Sequence, residues 1–190
     1  MKRIRPNNIN TQARYKKIIE GTDIAKIGFN PKWAEVLYKS LLSEGNILDV
    51  GCWKGEHLNY WCKKNPKLIP LGIDFSIEAL DFSKKNFPNI KVQIGDVTKK
   101  LEFPDNFFDM VVCLEVLEHL EKPEETIKEI IRVARNRIVV SVPWELEVKS
   151  PYHVWEFNKQ DFQELFKDLK NVRIDHVGAR MIMTGDKNVC

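Results

Sequence analysis

Two rhythms of apolar and polar positions run along this chain. Short apolar runs recur as "NILDV", "LIPLGID", "IKVQIGD", "FFDMVVCLE", "RIVVSVP" and "NVRIDHV", with one more at "ARMIMTG". Runs such as "MVVCL" and "IVVSV" are near-continuous in apolar residues, which predicts strands covered on both faces. Between the runs lie longer segments with helical spacing. Asn30-Pro31 opens the first as N-cap and first-turn proline, placing Trp33, Val36, Leu37, Leu41 and Leu42 near one face before Gly45 stops it. "GEHLNYWCKKN" predicts a second helix with Leu58, Trp61 and Cys62 at helical spacing, ended by Asn65-Pro66. "SIEALDFSKKN" predicts a third with Ser76 as N-cap, "PEETIKEIIRVAR" a fourth with Pro123 near its start, and "NKQDFQELFKDL" a fifth. Strands alternating with helices imply right-handed crossovers and a mostly parallel sheet. The expected fold class is therefore α/β, a doubly wound three-layer sandwich. With no repeat, low-complexity segment or linker, the expectation is one domain over residues 1–190, with an N-terminal helical arm over about residues 1–45.

Composition narrows the partners. A chain of 190 residues buries a substantial core without disulfides or metals, and 43% hydrophobic with 30% charged residues is a soluble globular balance. A net charge of +3 is too mild to argue for nucleic acid. The basic residues gather in "MKRIRPNNINTQARYKK", which is expected to be a solvated arm. Cys52, Cys62, Cys113 and Cys190 form no C-x-x-C pair and no zinc-finger spacing, the usage of a reducing, intracellular compartment. No signal peptide is expected and no run approaches the ~18 apolar residues of a membrane span, so the expected location is cytoplasmic.

In a doubly wound sheet the ligand sits beyond the carboxyl ends of the strands. The first strand ends in "LDVGCWKGEH", a glycine turn opening a helix. A dinucleotide loop wants G-x-G-x-x-G, yet only Gly51 and Gly55 are kept; Trp53 and Glu56 stand at the other two positions. An acid in the first helical turn is poor company for a diphosphate, so NAD and P-loop nucleotides are set aside. Asp74 ends the second strand about twenty residues on, where a carboxylate accepts both ribose hydroxyls. Asp96 ends the third, within reach of an adenine amino group, and Val97 beside it offers contact with the ring. Asp49, before the turn, is placed to meet an ammonium group. Each acid alone is an ordinary turn-maker or helix cap. Together, with no phosphate cradle, they describe a cationic, nucleoside-like ligand such as S-adenosylmethionine.

"ILDVGCWKG", "LGIDFS", "GDV" and "FFDMVVCLEVLEHL", in this order, resemble the motifs of class I S-adenosylmethionine-dependent methyltransferases over about residues 30–166. The resemblance implies a Rossmann-like, mostly parallel seven-stranded sheet with an antiparallel last strand. It also implies that Asp49, Gly51 and Gly55 line the methionine portion, Asp74 the ribose and Asp96 the adenine, with Cys52, Phe75 and Val97 beside them. Leu114 and Glu115 would lie near the sulfonium. Where the family usually has glycine, this chain has Trp53. Either its backbone alone makes the turn while the indole packs, which is the favoured reading, or the indole covers the ligand.

"LEVLEHL" places Glu115, Glu118 and His119 at the open edge of this site, on one face if the stretch is helical, and "PYHVWEF" brings His153 to the same rim. The pattern resembles the metal site of small-RNA 3′-terminal 2′-O-methyltransferases, matching at Glu115, Glu118, His119 and His153; a divalent ion such as Mg²⁺ or Mn²⁺ would hold a ribose diol. Many small-molecule members carry a near-identical "EVLEH" without metal, and acids outnumber bases in "ELEVKSPYHVWEF". The favoured reading is accordingly metal-free: a small or medium-sized acceptor, Glu115 at the reacting centre, and His119 or His153 as base. Alternatives are the metal-dependent RNA ribose methyltransferase and a non-catalytic binding module, for which Trp53 is the support. Trp144, Tyr152, Trp155 and Phe157, in the loop 143–157, form either a substrate lid or loop packing. By resemblance, Tyr15 in "ARYKKIIEG" closes the site from the front.

Overall fold

The computed structural model describes residues 1–4, 29–144 and 152–187. Tyr15, with residues 5–28 of the arm, residues 145–151 of the proposed lid and Cys190, lies outside these residues; Trp144, Trp155 and Phe157 of the lid pack with the core rather than line the cavity described below. The strands are β1 (Lys2–Arg3), β2 (Gly45–Val50), β3 (Leu68–Asp74), β4 (Lys91–Ile94), β5 (Phe108–Leu114), β6 (Ala134–Pro143), β7 (Trp155–Glu156), β8 (Lys170–Val177) and β9 (Arg180–Asp186). The helices are α1 (Pro31–Tyr38), α2 (Glu56–Lys64), α3 (Ile77–Asn86), α4 (Pro123–Val133) and α5 (Lys159–Leu165).

Seven strands form one sheet in the order β4-β3-β2-β5-β6-β9-β8. Strands β2 to β6 run parallel, and β9 enters antiparallel between β6 and β8. The winding reverses between β2 and β5, so the switch-point crevice opens at their carboxyl ends. Side-chain alternation divides the core between the two sheet faces. Val111 and Cys113 of β5 pack with Ile127, Ile130 and Phe162 from α4 and α5. Met110, Val112 and Leu114 pack with Trp33, Leu37, Leu58, Trp61 and Leu80 from α1, α2 and α3. This is the expected doubly wound, three-layer α/β sandwich with its antiparallel last strand.

The expected caps form. Asn30 Oδ1 accepts the Trp33 N–H and Ser76 Oγ accepts the Ala79 N–H, both at 3.2 Å. A further cap, not among those expected from the sequence, forms on α5, where Asn158 and Asp161 close a capping box. Two expectations are corrected. The first helix ends at Tyr38, short of Leu41 and Leu42, whose stretch forms turns. The first residues are not a solvated arm: Lys2 and Arg3 pair antiparallel with Glu156 and Trp155. Arg3 is held because its guanidinium lies 5.1 Å from the Trp155 ring and donates to both Glu121 carboxylate oxygens, at 2.6 and 2.7 Å. Among the described residues no helix is long and apolar enough to cross a membrane.

Candidate active site

The turn after β2 shows how tryptophan replaces glycine. Gly51, Trp53 and Gly55 all take left-handed backbone, with φ of 79°, 51° and 69°. Gly51 has no room for a side chain, since a Cβ there would lie 2.5 Å from Val116 Cγ2. Gly51 and Cys52 both donate to the Ile73 carbonyl, at 2.8 and 2.9 Å, tying the turn to β3. The Trp53 N–H donates to Asp74 Oδ2 at 2.9 Å. The backbone at position 53 therefore does what a glycine's would, at the steric cost of a non-glycine residue in this region, about 1–2 kcal/mol. Trp53 as a whole is half-buried and lines the cavity. Trp53→Gly is expected to raise stability by about 1 kcal/mol while keeping S-adenosylhomocysteine affinity within a few-fold, read by thermal melts and calorimetry.

Around this turn lies a cavity of about 360 Å³, within the size of small-molecule sites. Asp49, Gly51, Cys52, Asp74, Phe75, Asp96, Val97, Leu114 and Glu115 all line it, as does His119. Gly55 does not; it starts α2, packed so closely that a Cβ would sit 2.8 Å from Ser83 Oγ. Asp74 is fixed by backbone amides: the Trp53 N–H donates to Oδ2 and the Ser76 N–H to Oδ1, each at 2.9 Å, and the Phe75 amide also favours the charged carboxylate. Asp96 makes the turn expected of a strand-end acid, its Oδ1 accepting the Thr98 N–H at 3.0 Å and the Thr98 hydroxyl at 2.6 Å, and it lines the cavity as well. Thr126 Oγ1, donating to the Val97 carbonyl at 2.8 Å, holds that backbone in place.

Asp49 is 2% exposed, and no described residue donates a hydrogen bond to its carboxylate. Burial, reinforced by the Asp74 charge, pushes its pKa up to about 8. A carboxyl group raised in the fold contributes stability that is present below its unfolded pKa and lost as pH rises through the folded one. The ligand-free protein is thus expected to lose stability from about pH 4 to 8. Asp49→Asn should make the slope near pH 6 shallower by up to about 1.4 kcal/mol per pH unit, the weight of one proton. Denaturant melts from pH 5 to 7 measure this; equal slopes would remove Asp49 as the source.

At the end of β5 the chain departs from the expected common face. Glu115 stands at φ 57°, outside the 3-10 turn Leu117–His119. Its Oε1 accepts the Ser141 hydroxyl at 2.8 Å and its Oε2 accepts Arg180 Nε at 3.1 Å. Burial, offset by Arg180, raises its pKa. Glu118, His119 and His153 converge instead, with ligand atoms all within 4.8 Å of one another. The His119 and His153 rings meet edge to face at 5.1 Å. Glu118 is 1% exposed and neither carboxylate oxygen has a hydrogen-bond partner among the described residues. Two bonds to main-chain carbonyls assemble the cluster: the Val154 N–H to the Glu118 carbonyl at 2.7 Å, and the Trp155 indole Nε1 to the Leu120 carbonyl at 3.0 Å. Of these three residues only His119 reaches the cavity wall; Glu118 and His153 stand behind it.

Several wall residues escaped the sequence reading, among them Phe29, Trp33, Lys54, His57, Thr98 and Arg180. His57 packs edge-on to Phe29 at 5.4 Å, and burial first, then Arg180, lowers its pKa to about 4. Its position at a helix start was a signal; Arg180, 65 residues beyond Glu115, had none.

Residues 48–140 match the family described as a methyltransferase domain. A Schizosaccharomyces pombe protein named an uncharacterized methyltransferase is 28% identical over 138 residues, covering 72% of this chain and 54% of its own length. A Mycolicibacterium smegmatis protein named a probable S-adenosylmethionine-dependent methyltransferase is 26% identical over 146 residues, covering 70% of this chain and 55% of its own. This chain spans about half the length of these relatives. Among solved structures, a SAM-dependent methyltransferase from Aquifex aeolicus shares the fold at a TM-score of 0.67 and 20% identity, over 95% of this chain and 100% of that one. The matched segment carries the strand ends that hold Asp49, Asp74, Asp96 and Glu115, and the chain belongs to the class I S-adenosylmethionine-dependent methyltransferases.

Proposed function

We propose that this chain transfers a methyl group from S-adenosylmethionine to a small or medium-sized acceptor. One observation carries the reading: three strand-end carboxylates, Asp49, Asp74 and Asp96, line a single cavity at the switch point with no phosphate cradle beside them. Asp49, buried and without a donor among the described residues, suits an ammonium; Asp74, held by backbone amides at the cavity wall, suits ribose hydroxyls; Asp96 and Val97 suit the adenine edge. When bound, S-adenosylmethionine supplies a methyl group already activated on a sulfonium. The protein's part is alignment, which can be worth ~7–11 kcal/mol. His119, at the cavity wall, is placed to take a proton from the acceptor. Calorimetry with S-adenosylhomocysteine tests the reading: a micromolar isotherm is expected, and its absence from folded protein would favour the non-catalytic binding module.

A second reading has its own support. The buried Glu118 carboxylate, which receives no hydrogen bond among the described residues, makes with two neighbouring imidazoles a donor set that suits a divalent cation. Glu118, His119 and His153 would hold the ion, and Lewis acidity toward an acceptor hydroxyl is the chemistry it would add. Glu115, the fourth position of the RNA-enzyme pattern, is engaged by Arg180. The cation is therefore proposed without the RNA acceptor. Turnover that survives EDTA and exhaustive dialysis would count against it.

A further inference from the structure

Arg180 opens β9, opposite Pro143 of β6 and Val177 of β8, and reaches back over the cavity. Its guanidinium is held from two sides. Nε donates to Glu115 Oε2 at 3.1 Å, and the guanidinium carbon lies 4.9 Å from the ring centroid of the buried Trp33. Its terminal nitrogens, Nη1 and Nη2, donate to none of the described residues, and the side chain is 38% exposed. Lys54, the other cation on the wall, is 1% exposed and lies 3.1 Å from Glu56. Among the described residues, Arg180 is thus the accessible cation of a cavity whose other charged side chains are carboxylates and the buried Lys54.

We propose that Arg180 is a carboxylate fork: its free edge binds a carboxylate through two parallel N–H···O bonds while Glu115 and Trp33 hold the guanidinium in place. The geometry favours carboxylate over phosphate. Two parallel donors match two carboxylate oxygens, and a phosphate dianion would face Asp49, Glu56 and Glu115 across the same small cavity. The inference rests on the cavity being the cofactor and acceptor site. Two ligands there could bring the carboxylate: the amino-acid tail of the cofactor, or the acceptor itself.

The test compares the wild-type chain with Arg180→Met, Arg180→Lys and the double variant Glu115→Gln/Arg180→Met, which leaves no stranded acid should the single variant fold poorly. Two probes separate the sources. S-adenosylhomocysteine carries the tail, whereas 5′-methylthioadenosine has the same nucleoside and sulfur without it. Benzoate, titrated onto the S-adenosylhomocysteine complex with benzamide as its uncharged control, reports the acceptor side. A fall of roughly 10- to 100-fold in S-adenosylhomocysteine affinity, with 5′-methylthioadenosine unchanged, supports the fork and assigns it to the tail. Unchanged S-adenosylhomocysteine affinity with selective loss of benzoate supports it and assigns it to the acceptor. In either case Arg180→Lys should restore only part, because it keeps the charge and loses the parallel edge. Equal weakening of both nucleosides, or no change with any probe, overturns the proposal. Should the wild-type chain bind neither nucleoside, the cofactor reading fails, and the fork then stands or falls on benzoate binding to the ligand-free chain.

Discussion

Asp74→Ala is expected to lower S-adenosylhomocysteine affinity by at least 100-fold in protein that remains folded. The carboxylate is fixed before any ligand arrives, because the Ser76 and Trp53 amides each take one oxygen at 2.9 Å. The carboxylate lines the cavity, where its oxygens can receive the two ribose hydroxyls. A hydrogen bond to a charged group is worth about 1.5–3 kcal/mol, so losing two costs about 3–6 kcal/mol; at ~1.4 kcal/mol per decade that is 100-fold or more. The substitution also strips the Trp53 N–H of its acceptor in a left-handed turn, loosening the backbone beside the methionine portion. Asp74→Asn keeps one acceptor oxygen and should lose about tenfold. Calorimetry decides, with circular dichroism as the folding control. A folded Asp74→Ala that binds as wild type does would sink the ribose assignment.

The place of Asp74 on the cavity wall was legible in the sequence because it follows from local rules. A strand's end, a glycine turn and a helix cap are written in consecutive residues, and the sheet order places all strand ends together. The same logic yielded the alternating core, the Ser76 and Asn30 caps and the ligand class. It failed where contacts depend on distant residues. Arg180 meets Glu115 only because the β8–β9 hairpin folds β9 back against β6, and nothing in "GARMIMTG" marks that arginine. Glu115 was assigned to a common helical face with Glu118 and His119. A single left-handed residue, with φ of 57°, turns its carboxylate toward Ser141 instead. Trp53 shows the converse: its side chain suggested a broken loop, while its backbone keeps the turn.

The reading of the cation site leads to an unusual pair of signs at Glu118. Wild-type protein is expected to bind Mn²⁺, and Glu118→Gln to weaken that binding by at least 100-fold, as losing the one anionic ligand among three should. The metal-free Glu118→Gln protein should nevertheless melt higher than metal-free wild type. The carboxylate is 1% exposed and its oxygens receive no hydrogen bond among the described residues. Burial first, then the nearby Glu115 charge, pushes its pKa well above the carboxylate range. An amide of the same shape removes the burdened acid and brings its own donors, which should recover about 1–3 kcal/mol, the cost of leaving such a group unsatisfied. A purely structural glutamate would give the opposite sign, because its replacement would break bonds that hold the turn. Titrating both proteins with Mn²⁺ and melting them with and without EDTA separates the two cases. Metal should raise the melting temperature of wild type alone, as binding to the folded state requires. Parallel melting curves that ignore the metal would leave Glu118 without a cation and return the proton-transfer role to His119 unaided.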